Sequence, residues 1–165
     1  MASRAANRAD STYIIRPATP ADAPAIAHHR AAMFRDMGLI PGSEVERHEK
    51  AALAYLAPAL PSGEYLGWVV EAAGTVVAGG GVLVRRLLPR PGFPEAGDEA
   101  YVLNVYTEPE HRRRGLARDL MHTILAWCRA RTITRVSLHA SDEGRGLYES
   151  LGFLPTNEMR LEGLR

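Results

Sequence analysis

The sequence predicts an α/β fold in which one mixed, mostly antiparallel sheet carries helices on both faces. Short runs rich in β-branched and aromatic residues alternate with longer amphipathic segments, and glycines and prolines separate most of them. The resulting order is β-α-α-β-β-β-α-β-α-β, without an internal repeat. A chain of 165 residues is long enough for one hydrophobic core and short for two. We expect a disordered arm over residues 1–10 and a single domain over residues 11–165.

The first predicted strand, residues 13–19, leads into an amphipathic helix. Thr19 is suited to cap this helix, Pro20 to fill its first position, and Gly38 to end it. Apolar residues recur on one helical face between these points. We therefore expect the helix to pack against the sheet.

A second helix follows directly. Ser43 opens a capping-box pattern at its start, and Pro58 and Pro61 are expected to end it. Two β-rich runs, residues 65–71 and 75–85, then predict a hairpin.

The second half of the chain continues the alternation. Three glycines, residues 79–81, indicate either a bulge that lets a ligand approach or a flexible kink. Residues 87–99 contain three prolines and two glycines and predict a loop. The remaining segments predict a central strand (100–107), a helix (115–130), a strand (135–140), a short helix ending at Gly152 and, at most, one last strand.

Composition limits the kind of partner. Twenty basic and nineteen acidic residues leave a net charge of +1, so no global field draws the protein to nucleic acid or to anionic lipid. No apolar run approaches the roughly 20 residues of a membrane span. Cys128 is the one cysteine, and the six histidines match no usual ligand spacing, so we expect no disulfide and no metal. A reducing cytoplasm fits best.

The segment HRRRGLA, residues 111–117, places three arginines directly before a helix. The first N–H groups of a helix lack partners and carry partial positive charge, so they bind anions. Gly115 and Ala117 allow close approach to the backbone, and the arginines add fork-shaped donors suited to a diphosphate. A solvated basic turn is the alternative. Neither the P-loop nor the dinucleotide-binding pattern is present.

These residues resemble the GNAT N-acetyltransferase superfamily. RRRGLA is similar to the [QR]-x-x-G-x-[GA] loop that holds the pyrophosphate of acetyl-CoA in that family. VLNVYTEPEHRRRGLARDLMHTIL resembles the family's strand, turn and helix, and SDEGRGLYESLGF resembles its second signature. The resemblance implies the GNAT fold and a direct transfer of acetyl from acetyl-CoA to a primary amine, without a metal.

The resemblance also assigns cosubstrate contacts to individual residues. Tyr148 falls where the family often has the general acid that protonates the departing CoA thiolate. Ser141 stands where many relatives have asparagine, which places that one contact in question. The other implied contacts are backbone pairing of pantetheine with Val105, Tyr106 and Thr107, and pyrophosphate binding by Arg112, Arg113, Arg114, Gly115, Leu116 and Ala117.

The acceptor side is less defined by the sequence. Glu99 is the first candidate for the base that accepts the amine proton, ahead of Tyr101 and His139. Phe34 packs in the core or lines the acceptor pocket, and the loop over residues 87–99 is expected to help shape that pocket.

Other functions stay open at this point. A protein with the GNAT fold could transfer an acyl group other than acetyl, or could bind CoA as a sensor without catalysis. A protein of a different class could use the arginines to bind phosphate or nucleic acid. We expect a small-molecule or peptide amine as partner, and neither nucleic acid nor membrane. Dimers are common in such folds, so a homodimer is also open.

Overall fold

The computed structural model describes residues 12–163, so the predicted arm lies outside the described residues. Five strands form one sheet in the order β1-β2-β3-β4-β5. The first four strands pair antiparallel, and β4 and β5 pair parallel. This confirms the mixed, mostly antiparallel sheet. The strands are β1 (Tyr13–Pro17), β2 (Leu66–Ala72), β3 (Thr75–Leu87), β4 (Gly97–Thr107) and β5 (Arg135–Leu138).

Helices cover both faces of the sheet, as predicted. They are α1 (Ala23–Asp36), α2 (Val45–Ser62), α3 (Leu116–Ala130) and α4 (Asp142–Ser150). On one face, α1 and α2 bury Val69 of β2. On the other face, Leu120 and Ile124 of α3 pack against Trp68 and Val70 of the same strand. The central strands are therefore covered on both sides, which explains their nearly continuous apolar sequence.

The last predicted strand does not form. Helix α4 ends before Gly152, and residues 153–163 adopt no regular secondary structure. Leu154, Met159 and Leu161 are each about four-fifths exposed or more. Apart from Phe153, the apolar side chains of this segment bury little surface, so little offsets the entropy of ordering a strand here.

The start of α1 is held by a polar cluster that joins it to the sheet. The backbone N–H of Thr19 donates to Asp22 Oδ2 at 2.7 Å, and a short 3-10 turn over Pro20–Asp22 leads into the helix. Arg16 of β1 donates to both oxygens of Asp22, at 2.8 and 2.9 Å. These hydrogen bonds, led by those from Arg16, lower the pKa of Asp22 to about 2. Thr19 caps this turn and Pro20 opens it, whereas the α-helix that they were predicted to start begins three residues later, at Ala23; the sequence did not indicate the ion pair.

Helix α2 differs from the prediction at both ends. A 3-10 turn over Gly42–Glu44 places Ser43 inside the turn, so the expected capping box is absent and the helix begins at Val45. It also continues past Pro58 and Pro61, up to Gly63, whose φ is +77°. Each proline removes one backbone donor. The last turns persist because buried residues such as Leu56 and Ala59 hold them against the sheet.

The loop between β3 and β4 is shorter than predicted. The two strands extend to Leu87 and from Gly97, with Arg86 opposite Asp98, so residues 88–96 form the loop. Within residues 12–163, no helix is both long enough and apolar enough to cross a bilayer.

Candidate active site

The two parallel strands, β4 and β5, pair over only part of the length of β4. Their pairing begins at Glu99 opposite Arg135 and ends at Val102 opposite Leu138. Strand β4 continues to Thr107, and beyond Val102 it has no β5 partner. The edge of β4 that faces away from β3 therefore has no strand partner over residues 103–107, which include the residues to which the family resemblance assigns pantetheine pairing. An extended ligand could add hydrogen bonds to this edge as a strand does.

A bulge in β4 lies at the same point. Gly79 pairs with Tyr106 and Gly81 pairs with Leu103, so two residues of β4 lie opposite Gly80 alone. Asn104 has a φ of +58°, in the left-handed region that asparagine tolerates better than most residues. A bulge of this kind bends the strand and changes the direction of its backbone groups.

The three glycines opposite the bulge are required by packing. A Cβ on Gly80 would meet side-chain atoms of Leu120 and Val105 at 3.1 Å. A Cβ on Gly81 would lie 2.8 Å from the Leu66 carbonyl oxygen and would collide with the Tyr65 ring. The bulge is therefore present, but protein side chains fill the space beside these glycines.

The segment before α3 presents a row of backbone donors. Arg113 and Gly115 have φ values of +62° and +83°, and Gly115 is the N-cap of the helix. The first helical hydrogen bond runs from Asp119 N–H to the Gly115 carbonyl at 3.0 Å. In the described part of the chain, the N–H groups of residues 113–118 make no hydrogen bond. Such a run at a helix start is a ready site for a phosphate.

The three arginines of this segment do not act alike. Arg112 donates to the Thr107 carbonyl at 2.9 Å and pairs with Asp36, at the end of α1, at 2.6 Å. Tyr106 donates its hydroxyl proton to the same carboxylate at 3.1 Å. Arg112 thus joins the end of α1 to this segment through Asp36, a carboxylate that Arg35 also contacts at 2.8 Å, whereas Arg113 and Arg114 form no ion pair among the described residues.

Helix α4 carries the two remaining cosubstrate candidates. Ser141 is its N-cap and accepts a hydrogen bond from Gly144 N–H at 3.1 Å, so its hydroxyl already has a structural role. Tyr148 packs edge-on against Phe153 at 5.9 Å and belongs, with Val105, to the apolar cluster on the α3 face. Burial raises the pKa of Tyr148. The phenol is therefore a weaker acid than a free tyrosine but stays protonated over a wide pH range.

Glu99 lies far from this centre. It is 1% exposed and forms ion pairs with Arg135, at 3.0 Å, and with Arg85. Burial alone would raise the pKa of Glu99, but the hydrogen bond from Arg85 and the two positive charges outweigh it and lower the pKa. At about 3.3 Å per residue, Glu99 is roughly 16 Å along the strand from Asn104. These contacts favour a structural role, and its role as a base stays a prediction.

The other two candidates for the base, Tyr101 of β4 and His139 just after β5, lie next to each other. The Tyr101 hydroxyl is hydrogen-bonded to His139 Nδ1, and Arg160 contacts the same imidazole. A role as base stays a prediction for both residues.

A cleft of about 480 Å³ opens between the two amino-terminal helices and the β4 bulge. Phe34 lines this cleft, in agreement with the second of the two interpretations given for it above. Sequence reasoning missed Arg30, which reaches the cleft from α1 and donates to Asn104 Oδ1. The asparagine was visible as one polar residue within an apolar strand, but nothing in the sequence placed an arginine beside it. The remaining lining residues are His48, Ala51, Ala52, Tyr55, Leu56, Tyr65, Leu83 and Leu103.

His29 is a second residue whose environment the sequence did not indicate. It is buried, packs at a tilt against Tyr106 with 5.3 Å between ring centres, and lies 3.4 Å from a Glu108 carboxylate oxygen. Burial, with a smaller contribution from the charge of His28, lowers the pKa of His29 to about 4. His29 is therefore neutral at pH 7 and acts as packing behind the bulged strand.

Comparison with known proteins identifies the class of protein that this fold and site define. The model of the Acetyltransferase (GNAT) family matches residues 25–153, and the chain belongs to that family. A search of curated proteins found no match.

Solved structures give the same class. A GCN5-related N-acetyltransferase from Ralstonia eutropha JMP134 is 35% identical, with a TM-score of 0.83 over 91% of this chain and 97% of that one. A predicted acetyltransferase from Clostridium acetobutylicum, solved with acetyl-CoA, is 24% identical, with a TM-score of 0.80 over 92% and 96%. Glucosamine-6-phosphate N-acetyltransferase from Arabidopsis thaliana is 18% identical, with a TM-score of 0.60 over 93% and 99%. At 24% and 18% identity, the last two structures show a shared fold only.

Proposed function

We propose that this protein transfers acetyl from acetyl-CoA to a primary amine. The observation that carries the proposal is the meeting, at one end of the sheet, of the open β4 edge and the unpartnered N–H groups of residues 113–118. The first can pair with an extended pantetheine arm, and the second can hold its pyrophosphate. The solved relative from Clostridium acetobutylicum contains acetyl-CoA, which supports the choice of cosubstrate.

The transfer proceeds by direct attack. The neutral amine bonds to the thioester carbon, and a backbone N–H among residues 105–107 stabilises the developing oxyanion. Collapse of this tetrahedral species breaks the carbon–sulfur bond and releases the CoA thiolate. The amine gives its proton to a base or to water, and the thiolate takes a proton from the Tyr148 hydroxyl.

The proton transfer from Tyr148 is uphill. A phenol has an ordinary pKa of about 10 and a thiol of about 8.5, a difference worth roughly 2 kcal/mol. Burial raises the pKa of Tyr148 and widens this gap. The gain is that the phenol stays protonated to a higher pH than a free tyrosine does.

The function is tested by turnover. Purified protein is incubated with acetyl-CoA and a panel of primary amines, and free thiol is followed with time. We expect acetyl-CoA consumption that depends on at least one amine, together with the N-acetylated product by mass spectrometry. Saturable binding of acetyl-CoA without turnover of any amine would instead support a CoA-binding sensor.

A further inference from the structure

Arg30 differs from several other arginines that lie on or beside the sheet and α1. Arg16, Arg85, Arg112 and Arg135 each pair with an aspartate or glutamate. Arg30 is partly buried, and no ion pair links it to a carboxylate in the described part of the chain. Two acidic residues that flank α2 have partners other than Arg30. Glu44 contacts His48 at 3.5 Å, and Glu64 accepts from the Tyr55 hydroxyl at 2.9 Å.

The contacts of Arg30 fix how its guanidinium is presented. The guanidinium lies over Phe34, with Cζ 4.6 Å from the ring centre, and its Nη1 donates to Asn104 Oδ1. Asn104 in turn donates to the Tyr65 hydroxyl at 3.4 Å. Among residues 12–163, nothing accepts a hydrogen bond from Arg30 Nε or Nη2. One edge of the fork is therefore left for a ligand, and parallel N–H groups on such an edge match a carboxylate.

The position of Arg30 relates this edge to the reaction centre. Asn104 is the bulged residue next to Val105, whose backbone is proposed to face the thioester. A group held by Arg30 thus lies in the acceptor cleft close to the point of attack. A positive charge there repels an acceptor that carries only cationic groups, because the site is partly shielded from solvent. An anionic group on the acceptor would replace that repulsion by an ion pair.

We propose that the acceptor is a small amine that also carries a carboxylate and an apolar side chain, as amino acids do. This rests on the proposed acetyl transfer. Arg30 binds the carboxylate and sets the amine toward the bulge. The apolar part fits the wall formed by Phe34, Leu83 and Leu103, within a cleft of about 480 Å³.

The test compares matched amines that differ only in the carboxylate, such as phenylalanine with 2-phenylethylamine and leucine with 3-methylbutylamine. For wild type we expect kcat/KM to be higher for the amino acid by about 10- to 100-fold, the range of a charge-assisted hydrogen-bonded pair. Arg30→Gln should remove most of this preference, and Arg30→Lys should keep part of it because the charge remains without the fork.

The readout is the ratio of kcat/KM within each pair, compared between wild type and variant. A general loss caused by a disturbed bulge cancels in this ratio, and the difference in basicity between the two amines cancels when the ratio is compared between wild type and variant. Arg47→Gln, on the exposed surface of α2, is the matched control and should leave the ratio unchanged. A wild-type preference for the amine without carboxylate, or an equal ratio in wild type and Arg30→Gln, would overturn the proposal.

Binding separates this proposal from the proposed function. The same amino acids are titrated by calorimetry into wild type and Arg30→Gln, each with CoA present. Binding to wild type that weakens by about 10-fold or more in Arg30→Gln supports the carboxylate site even if no amine is acetylated, in which case the transfer alone fails. Absence of binding to wild type at millimolar concentration overturns the site.

Discussion

The hydroxyl of Tyr148 is the residue-scale feature on which the proposed chemistry depends most. We expect Tyr148→Phe to lower kcat by roughly 10²- to 10⁴-fold, because the thiolate then leaves without a positioned acid. Acetyl-CoA binding should survive, since the ring and its contact with Phe153 are kept. Steady-state kinetics and calorimetry on the same preparation measure both quantities. An unchanged kcat would remove Tyr148 from the mechanism.

Gly115 determines whether a phosphate can reach the start of α3. We expect Gly115→Glu to abolish acetyl-CoA binding, because its φ of +83° disfavours any side chain and a carboxylate would repel the pyrophosphate. Arg113→Gln is the comparison: it removes one exposed charge and should weaken binding only severalfold. Calorimetry measures the dissociation constant of acetyl-CoA for wild type and for both variants. Equal losses in the two variants would show that charge, rather than backbone geometry, makes the site.

At the scale of elements, Glu99 joins three strands. Its carboxylate in β4 pairs with Arg85 of β3 and Arg135 of β5. We expect Glu99→Gln to lower the free energy of unfolding by about 1–3 kcal/mol, because the ion pairs are lost at a buried position. Urea unfolding and turnover are measured on the same variant. An unaltered unfolding curve together with turnover slowed by about two orders of magnitude or more would restore Glu99 as the general base.

The ion pair between Arg16 of β1 and Asp22, directly before α1, predicts that the stability of the fold depends on pH. The folded state lowers the pKa of Asp22 from 3.8 to about 2, chiefly through hydrogen bonds from Arg16. Asp22 therefore contributes stability above about pH 4, and this contribution is lost as the pH falls through about 2. Its size is about 2 kcal/mol.

Asp22→Asn tests this pH dependence. The variant should be less stable than wild type at pH 7 by about 2 kcal/mol, and the difference should shrink between pH 4 and pH 2. Asp98→Asn, in a more exposed pair with Arg86, is the control and should cost less than about 1 kcal/mol. Urea unfolding at several pH values measures both. A difference from wild type that does not change with pH would contradict the ion-pair explanation.

At the scale of the whole molecule, charge distinguishes the proposed enzyme from a nucleic-acid-binding module. The net charge is +1, and Arg112, one of the three arginines before α3, is paired with Asp36. Acetyl-CoA at 100 times its dissociation constant should stabilise the fold by about 2.7 kcal/mol. A thermal-unfolding series with acetyl-CoA and with an oligonucleotide at low salt measures the contrast. Stabilisation by the oligonucleotide alone would favour the binding module.

The sequence predicted much of this fold because its signals are local. Gly38 and Gly115 mark helix ends through backbone conformations with positive φ, Thr19 is a favoured capping residue, and runs of β-branched and aromatic residues located the strands within a few residues. The errors concern tertiary packing. Pro58 and Pro61 should have ended α2, but buried neighbours hold its last turns, and the segment after Gly152 has no buried face to make it a strand.

By itself, then, the sequence predicted the class of fold, the position of a segment suited to phosphate binding and the position of Tyr148 on a short helix. Each of these predictions depends on residues that are close together in the chain. Only the tertiary structure decided how Arg112 and Glu99 are engaged, because their partners lie on other elements. The same holds for the unpaired guanidinium of Arg30 in the cleft. Whether a charge is compensated depends on what the fold brings within a few ångströms of it, and spacing along the chain does not contain that information.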